Sequence, residues 1–129
     1  MSRFLLALAV GLAIAGPTLA ADVTADLSDG FFAKIKVVAT NLQCESLDLL
    51  KVMKSESNVK ATAHNANGHA SGLIQFMPAS LKNLGWTKGH EDFRKLTAEE
   101  QLPYVEMYFK PHVKEGLGSA ARLYQVTFL

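Results

Sequence analysis

Glu56 closes the run "LDLLKVMKSE" and precedes a stretch, Ser57 to His90, that holds no other acid. Leu49, Met53 and Glu56 are spaced i, i+4 and i+7, with Val52 four residues before Glu56, so a helix here carries the carboxyl along its apolar stripe. Lys51, Lys54 and Ser55 fall on the wetter side, where a surface acid is more at home. A carboxyl at the end of an apolar face is poorly hydrated, which raises its pKa and lets it hold a proton near neutral pH. General-acid chemistry needs such a group, and protonating a leaving glycosidic oxygen is one such task. The plain alternative is a helix-terminal Glu paired with Lys60 at i+4.

The other reactive side chains are scattered. His64 and His69 flank the turn-rich segment "HNANGHASG", and His90 and His112 lie elsewhere. Their spacing matches no tight metal motif, so neither a metal nor a cofactor is expected. Cys44 is the only cysteine, which excludes an internal disulfide and reads as a small buried apolar residue. Trp86, Phe76 and the tyrosines read as core first and as sugar-stacking surfaces second.

The elements that must position Glu56 read as mostly α. A first helix starts at Ser28 or Asp29 and carries Phe32, Ile35, Val38 and Leu42 on one side. A second begins at Ser46 as N-cap, with Asp48 facing the positive helix end. From Asn58 to Ser71 the residue types favour a loop. The segment "GLIQF" suits a short helix, and another opens at Pro78 and stops at Gly85, with Trp86 as an anchor. Thr97 to Glu100, "TAEE", matches a capping box, although Pro103 is expected to bend the following helix or move its start later. Gly116 and Gly118 interrupt the pattern before "SAARLYQVTFL", a last helix.

The first residues carry a targeting signal. Met-Ser-Arg, the apolar run "FLLALAVGLAIAG" and the small-residue run "PTLAAD" give the three parts of a secretory signal peptide over residues 1–20, cut after Ala20 or, second, Ala21. The apolar run is shorter than the ~20 residues of a membrane-spanning helix. No cysteine stands at the cleavage point to accept a lipid. The expected product, residues 21–129, is a soluble monomer without a membrane anchor, periplasmic or secreted, and large enough for one domain. Without Arg3 it has as many Lys and Arg as Asp and Glu, which gives no reason to expect a nucleic-acid partner. The local excess of Lys51, Lys54, Lys60, Lys82 and Lys88 over Glu56 suits a weakly anionic polymer, or simply a solvated face.

"SES" followed by "ASGLIQFMP" resembles the signature of the lytic murein transglycosylases of the lysozyme-like superfamily: a Glu-Ser pair closing a helix, a loop, then Gly-Leu-Met-Gln and a Met-Pro turn. The resemblance runs from about Leu47 to Pro111 and is densest between Glu56 and Gly85. It implies a small lysozyme-like helical domain with a loop-rich substrate groove, acting on peptidoglycan glycan strands with Glu56 as the only catalytic carboxylate. In that family the acid protonates the bond between N-acetylmuramic acid and N-acetylglucosamine, then takes the muramyl C6 hydroxyl proton as a 1,6-anhydro ring closes.

The resemblance also implies substrate contacts at Ser71, Gly72, Leu73 and Gln75, with Ile74 standing where Met is common. Asn65 occupies the place where the family often has Ser or Thr. The late-helix tyrosine that supports the acid corresponds to Tyr124, without the usual Asn-Ala-Gly, and Tyr108 and Tyr104 compete for that role. Other readings remain. A hydrolytic muramidase of the same fold needs a second acid, for which Glu91, Asp92, Glu99, Glu100 and Glu106 are available. A non-catalytic glycan-binding module, or a domain shortened at its C-terminus, would also carry these residues.

Overall fold

The computed structural model describes residues 27–128. The expected signal peptide lies outside the described residues. Those described form a small, mostly helical domain of six α-helices, a 3-10 helix and a two-stranded sheet.

Helix α1 (Asp29–Leu42) is started by Ser28, whose hydroxyl accepts the Phe31 N–H at 3.0 Å. Its buried stripe is Phe31, Ile35, Val38, Ala39 and Leu42, so Phe31 takes the core position expected for Phe32, which is only half-buried. One residue along a helix turns a side chain by about 100°, and packing decides between the adjacent phenylalanines. Helix α2 (Ser46–Ser57) has Glu45 rather than Ser46 at its N-cap, with Leu49, Val52 and Met53 buried.

Strands β1 (His64–Asn65) and β2 (Ala70–Ser71) pair antiparallel, His64 opposite Ser71 and Asn65 opposite Ala70. The expected "GLIQF" helix is absent. Ser71 and Phe76 pair across a tight turn instead, with N–H to C=O distances of 2.9 and 2.8 Å. Gly72 and Gln75 both adopt positive φ, 84° and 57°, which a helix does not allow.

Helix α3 (Pro78–Asn83) has Pro at its first turn and ends just before Gly85, as its sequence suggests. A short α4 (His90–Phe93) leads into α5 (Ala98–Phe109), where Thr97 and Glu100 form the capping box at 2.9 and 3.1 Å. Pro103 sits inside α5 without moving its start. The chain then passes through the 3-10 helix (Lys110–Glu115) into α6 (Ala120–Val126), capped by Ser119.

Helix α1 packs on α5 and α2, and α2 packs on α6. The shared core holds Phe31, Leu42, Leu49, Met53, Leu73 and Phe109, among others. Burying each such side chain contributes about 1.5–3 kcal/mol. A second aromatic group, Trp86, Phe93 and Tyr104, meets edge to face at 5.4–5.7 Å and fixes α4 against α5. Cys44 is a half-buried free thiol, pushed up to about 11 by burial and then by Asp48 and Glu45.

Candidate active site

Glu56 stands one residue before the end of α2, and the way that helix ends explains why it is held there. Asn58 turns left-handed, its N–H reaches Lys54 C=O at 3.0 Å, and Val59 N–H reaches back six residues to Met53 C=O at 3.1 Å. Val59 is itself left-handed, φ 57°, an outlier for a β-branched residue that costs about 1–3 kcal/mol. Its burial in the core over-determines that conformation. The helix therefore stops before Lys60 comes alongside Glu56, and among the described residues no ion pair joins them.

Ser57 ties this helix end to the Gly-Leu-x-Gln turn. Its buried hydroxyl donates to Leu73 C=O at 2.7 Å and accepts the Lys60 N–H at 3.2 Å. Gln75 folds its amide back on the same loop, donating to Gly72 C=O at 3.0 Å and Ala63 C=O at 3.3 Å. Opposite them lies Gln101 of α5, fully buried, which accepts the Leu73 N–H at 3.0 Å and donates to Ala61 and Phe93 carbonyls at 2.9 and 3.1 Å. A Cβ on Gly72 would stand 2.5 Å from the Gln101 Oε1, so the glycine is needed for this close approach as well as for its φ.

Three of the proposed contact residues thus serve the frame. Ser71 and Leu73 have no exposed surface. The Ser71 hydroxyl accepts from Arg94, and Gly72 is buried under Gln101. Asn65 is exposed, but its Oδ1 accepts the Asn67 and Gly68 N–H groups and shapes the β1–β2 turn.

Tyr124 and Tyr108 stand near Glu56. The Tyr124 phenol favours the charged carboxyl, and Ser55 lies within hydrogen-bond distance of the same phenol oxygen, at 3.3 Å. Tyr108 lies close enough for the Glu56 charge, added to its own burial, to push its phenol up. Tyr104 belongs to the Trp86 and Phe93 group instead. Burial holds the Glu56 carboxyl above the usual glutamate range, and the Tyr124 hydrogen bond opposes this only in part.

Four of the five acids offered as a second carboxylate are engaged elsewhere. Asp92 pairs with Lys95 at 3.1 Å, and Glu99 accepts from Ser28. Glu100 caps α5, Glu106 accepts from Asn41, and Glu91 acts on His64. Among the described residues no second carboxylate shifts Glu56.

Compared with family models, with curated proteins and with solved structures, the chain finds no match. What the site can do rests on its own geometry: one poorly hydrated carboxyl, beside a phenol, on a braced helix end.

The raised Glu56 pKa has a consequence for stability. The folded chain keeps this proton to higher pH than the unfolded chain, so ionisation in that window works against folding, and the loss sets in as pH rises. Glu56→Gln, uncharged throughout, is expected to melt above wild type at about pH 7 and together with it at about pH 3, where the carboxyl is protonated in both states. Thermal unfolding followed by circular dichroism checks this, and a variant that melts lower at neutral pH contradicts it.

Proposed function

We propose that this chain is an exported peptidoglycan lytic transglycosylase with a lysozyme-like helical fold. It cleaves the β-1,4 bond between N-acetylmuramic acid and N-acetylglucosamine with Glu56 acting in turn as acid and base. The observation that supports this reading is the isolation of Glu56, half-buried beside Tyr124, with no second carboxylate acting on it among the described residues. The Glu-Ser and Gly-Leu-x-Gln residues that suggested the family also stand side by side, joined by the Ser57 to Leu73 hydrogen bond.

In the first step the protonated Glu56 gives its proton to the bridging oxygen as the bond from muramyl C1 to that oxygen breaks. The carboxylate left behind takes the C6 hydroxyl proton while that oxygen bonds to C1, so the 1,6-anhydro ring closes and Glu56 is protonated again. No water is consumed. The same group must release and regain a proton in each cycle, which favours a pKa near the working pH. Burial raises the pKa towards that range and Tyr124 restrains it.

Tyr124→Phe removes the hydrogen bond that favours the charged form. The alkaline limb of its pH–rate profile is expected to move to higher pH, with a fall in maximal rate. An unmoved profile removes Tyr124 from the mechanism.

A hydrolase of the same fold would place a second carboxylate to direct water, in inverting or retaining geometry. Mass spectrometry of digested sacculi separates the two. The lyase gives 1,6-anhydromuramyl ends, and reducing ends alone reject it. Sacculi that bind the chain but release nothing would identify a glycan-binding module instead.

A further inference from the structure

His90 joins His64 and His69 on the β1–β2 hairpin. Ring centroids lie 6.4 Å apart for His64 and His69, 5.8 Å for His64 and His90, and 5.2 Å for His69 and His90. The hairpin supplies the first two, and the packing of α4 against β2 brings the third. Arg94, one turn after His90, is half-buried beside them. Its Nη1 donates to the buried Ser71 hydroxyl at 2.9 Å and lies 3.3 Å from His90 Nδ1. A guanidinium only donates, so the contact makes His90 Nδ1 an acceptor and leaves its ring hydrogen on Nε2.

Among the described residues no carboxylate lies within ion-pair range of Arg94, whereas Arg122 pairs with Glu115 and Lys95 with Asp92. Among the described residues Glu91, exposed on α4, is the only acid acting on His64. Its pull is outweighed by local desolvation and by the positive charges of Arg94, His90 and His69, which hold His64 below the ordinary histidine value. A permanent cation half withdrawn from water, in contact with His90 and acting on His64, together with imidazoles that gain charge on protonation, is the complement of an oxyanion.

A metal ion is the rival occupant, and the geometry is against it. Among the described residues no group of three or more His, Cys, Asp or Glu is disposed to hold a metal, and an unpaired guanidinium beside the cluster repels a cation.

We propose that His64, His69, His90 and Arg94 form a phosphate-binding site that fills as the imidazoles protonate. It stands whether or not Glu56 cleaves glycan. A cleft of about 420 Å³ shares His90 and offers Leu81, Trp86 and Lys82, so there is room beside the anion for the organic group that bears it. The shared chemistry is a phosphate ester or free phosphate.

The test is a proton NMR titration of the full mature chain with inorganic phosphate and, separately, with poly(glycerol phosphate), at about pH 5.5 and about pH 7.5, either side of the ordinary histidine pKa. Phosphate is expected to move the ring signals of His64, His69 and His90 but not His112, and to bind about tenfold or more tightly at the lower pH. Arg94→Gln is expected to lose that response. His64→Gln, at an exposed position that cannot unfold the domain, is expected to weaken it severalfold. Tighter binding of the polymer, counted per phosphate, assigns the site to a phosphodiester chain, and equal binding assigns it to free phosphate. Signals that ignore both ligands, affinity equal at the two pH values, or a response to Zn²⁺ alone would overturn the proposal.

Discussion

Glu56→Gln is expected to slow release of soluble products from purified sacculi by about 10²–10⁴-fold, the usual contribution of a general acid. Binding of chitooligosaccharide is expected to stay within a few-fold. Glutamine keeps the side chain's length and an oxygen that can still accept from Tyr124. It has no proton to give, so the bridging oxygen would leave as an alkoxide, and no carboxylate to collect the C6 proton. Both halves of the cycle fail at one residue, and among the described residues no second carboxylate acts on Glu56. A loss confined to the rate separates chemistry from affinity. Turnover at wild-type level in this variant would remove Glu56 from the reaction, and equal loss of binding would make it a structural residue.

The largest loss of stability is expected at Gln101, which does no chemistry. Its amide satisfies the Leu73 N–H and the Ala61 and Phe93 carbonyls, three backbone groups on three separate segments. Gln101→Leu fills similar space but leaves the buried Leu73 N–H and the part-buried Ala61 carbonyl without a partner, while the Phe93 carbonyl keeps the Leu96 N–H at 3.1 Å. Each such orphan costs about 1–3 kcal/mol, so a total of about 2–4 kcal/mol is expected, large for a single substitution. Chemical denaturation measures it directly. A loss below about 1 kcal/mol would mean that water replaces the amide and that Gln101 does not brace the turn.

The contrast between these residues shows what the sequence revealed and what it withheld. The helix starts at Ser28 and Thr97 and the stop before Gly85 were legible, because capping residues and glycine act within a few positions. Glu56 was legible as an acid misplaced on an apolar stripe. Gln101 sends the same signal, a polar residue in line with Leu102, Val105 and Phe109, and it could have been found by the same argument. The turn at Gly72–Gln75 was not legible, because its left-handed Gln75 is imposed by Ser57, Gln101 and the Ser71–Phe76 pairing, all contacts outside the segment. Phe31 and Phe32 are adjacent apolar residues that only tertiary packing tells apart, and it buries Phe31 in place of the expected Phe32. The histidine cluster joins positions 26 residues apart through a two-residue hairpin that left no alternation to read.

These arguments converge on the proton of one side chain. The most direct measurement is a carbon NMR titration of the Glu56 carboxyl in the wild-type chain, repeated in Tyr124→Phe. The account predicts a midpoint above that of an ordinary glutamate, about 4.3, and a further rise when the phenol is removed. A midpoint at or below the ordinary value, unmoved by the loss of Tyr124, would contradict it.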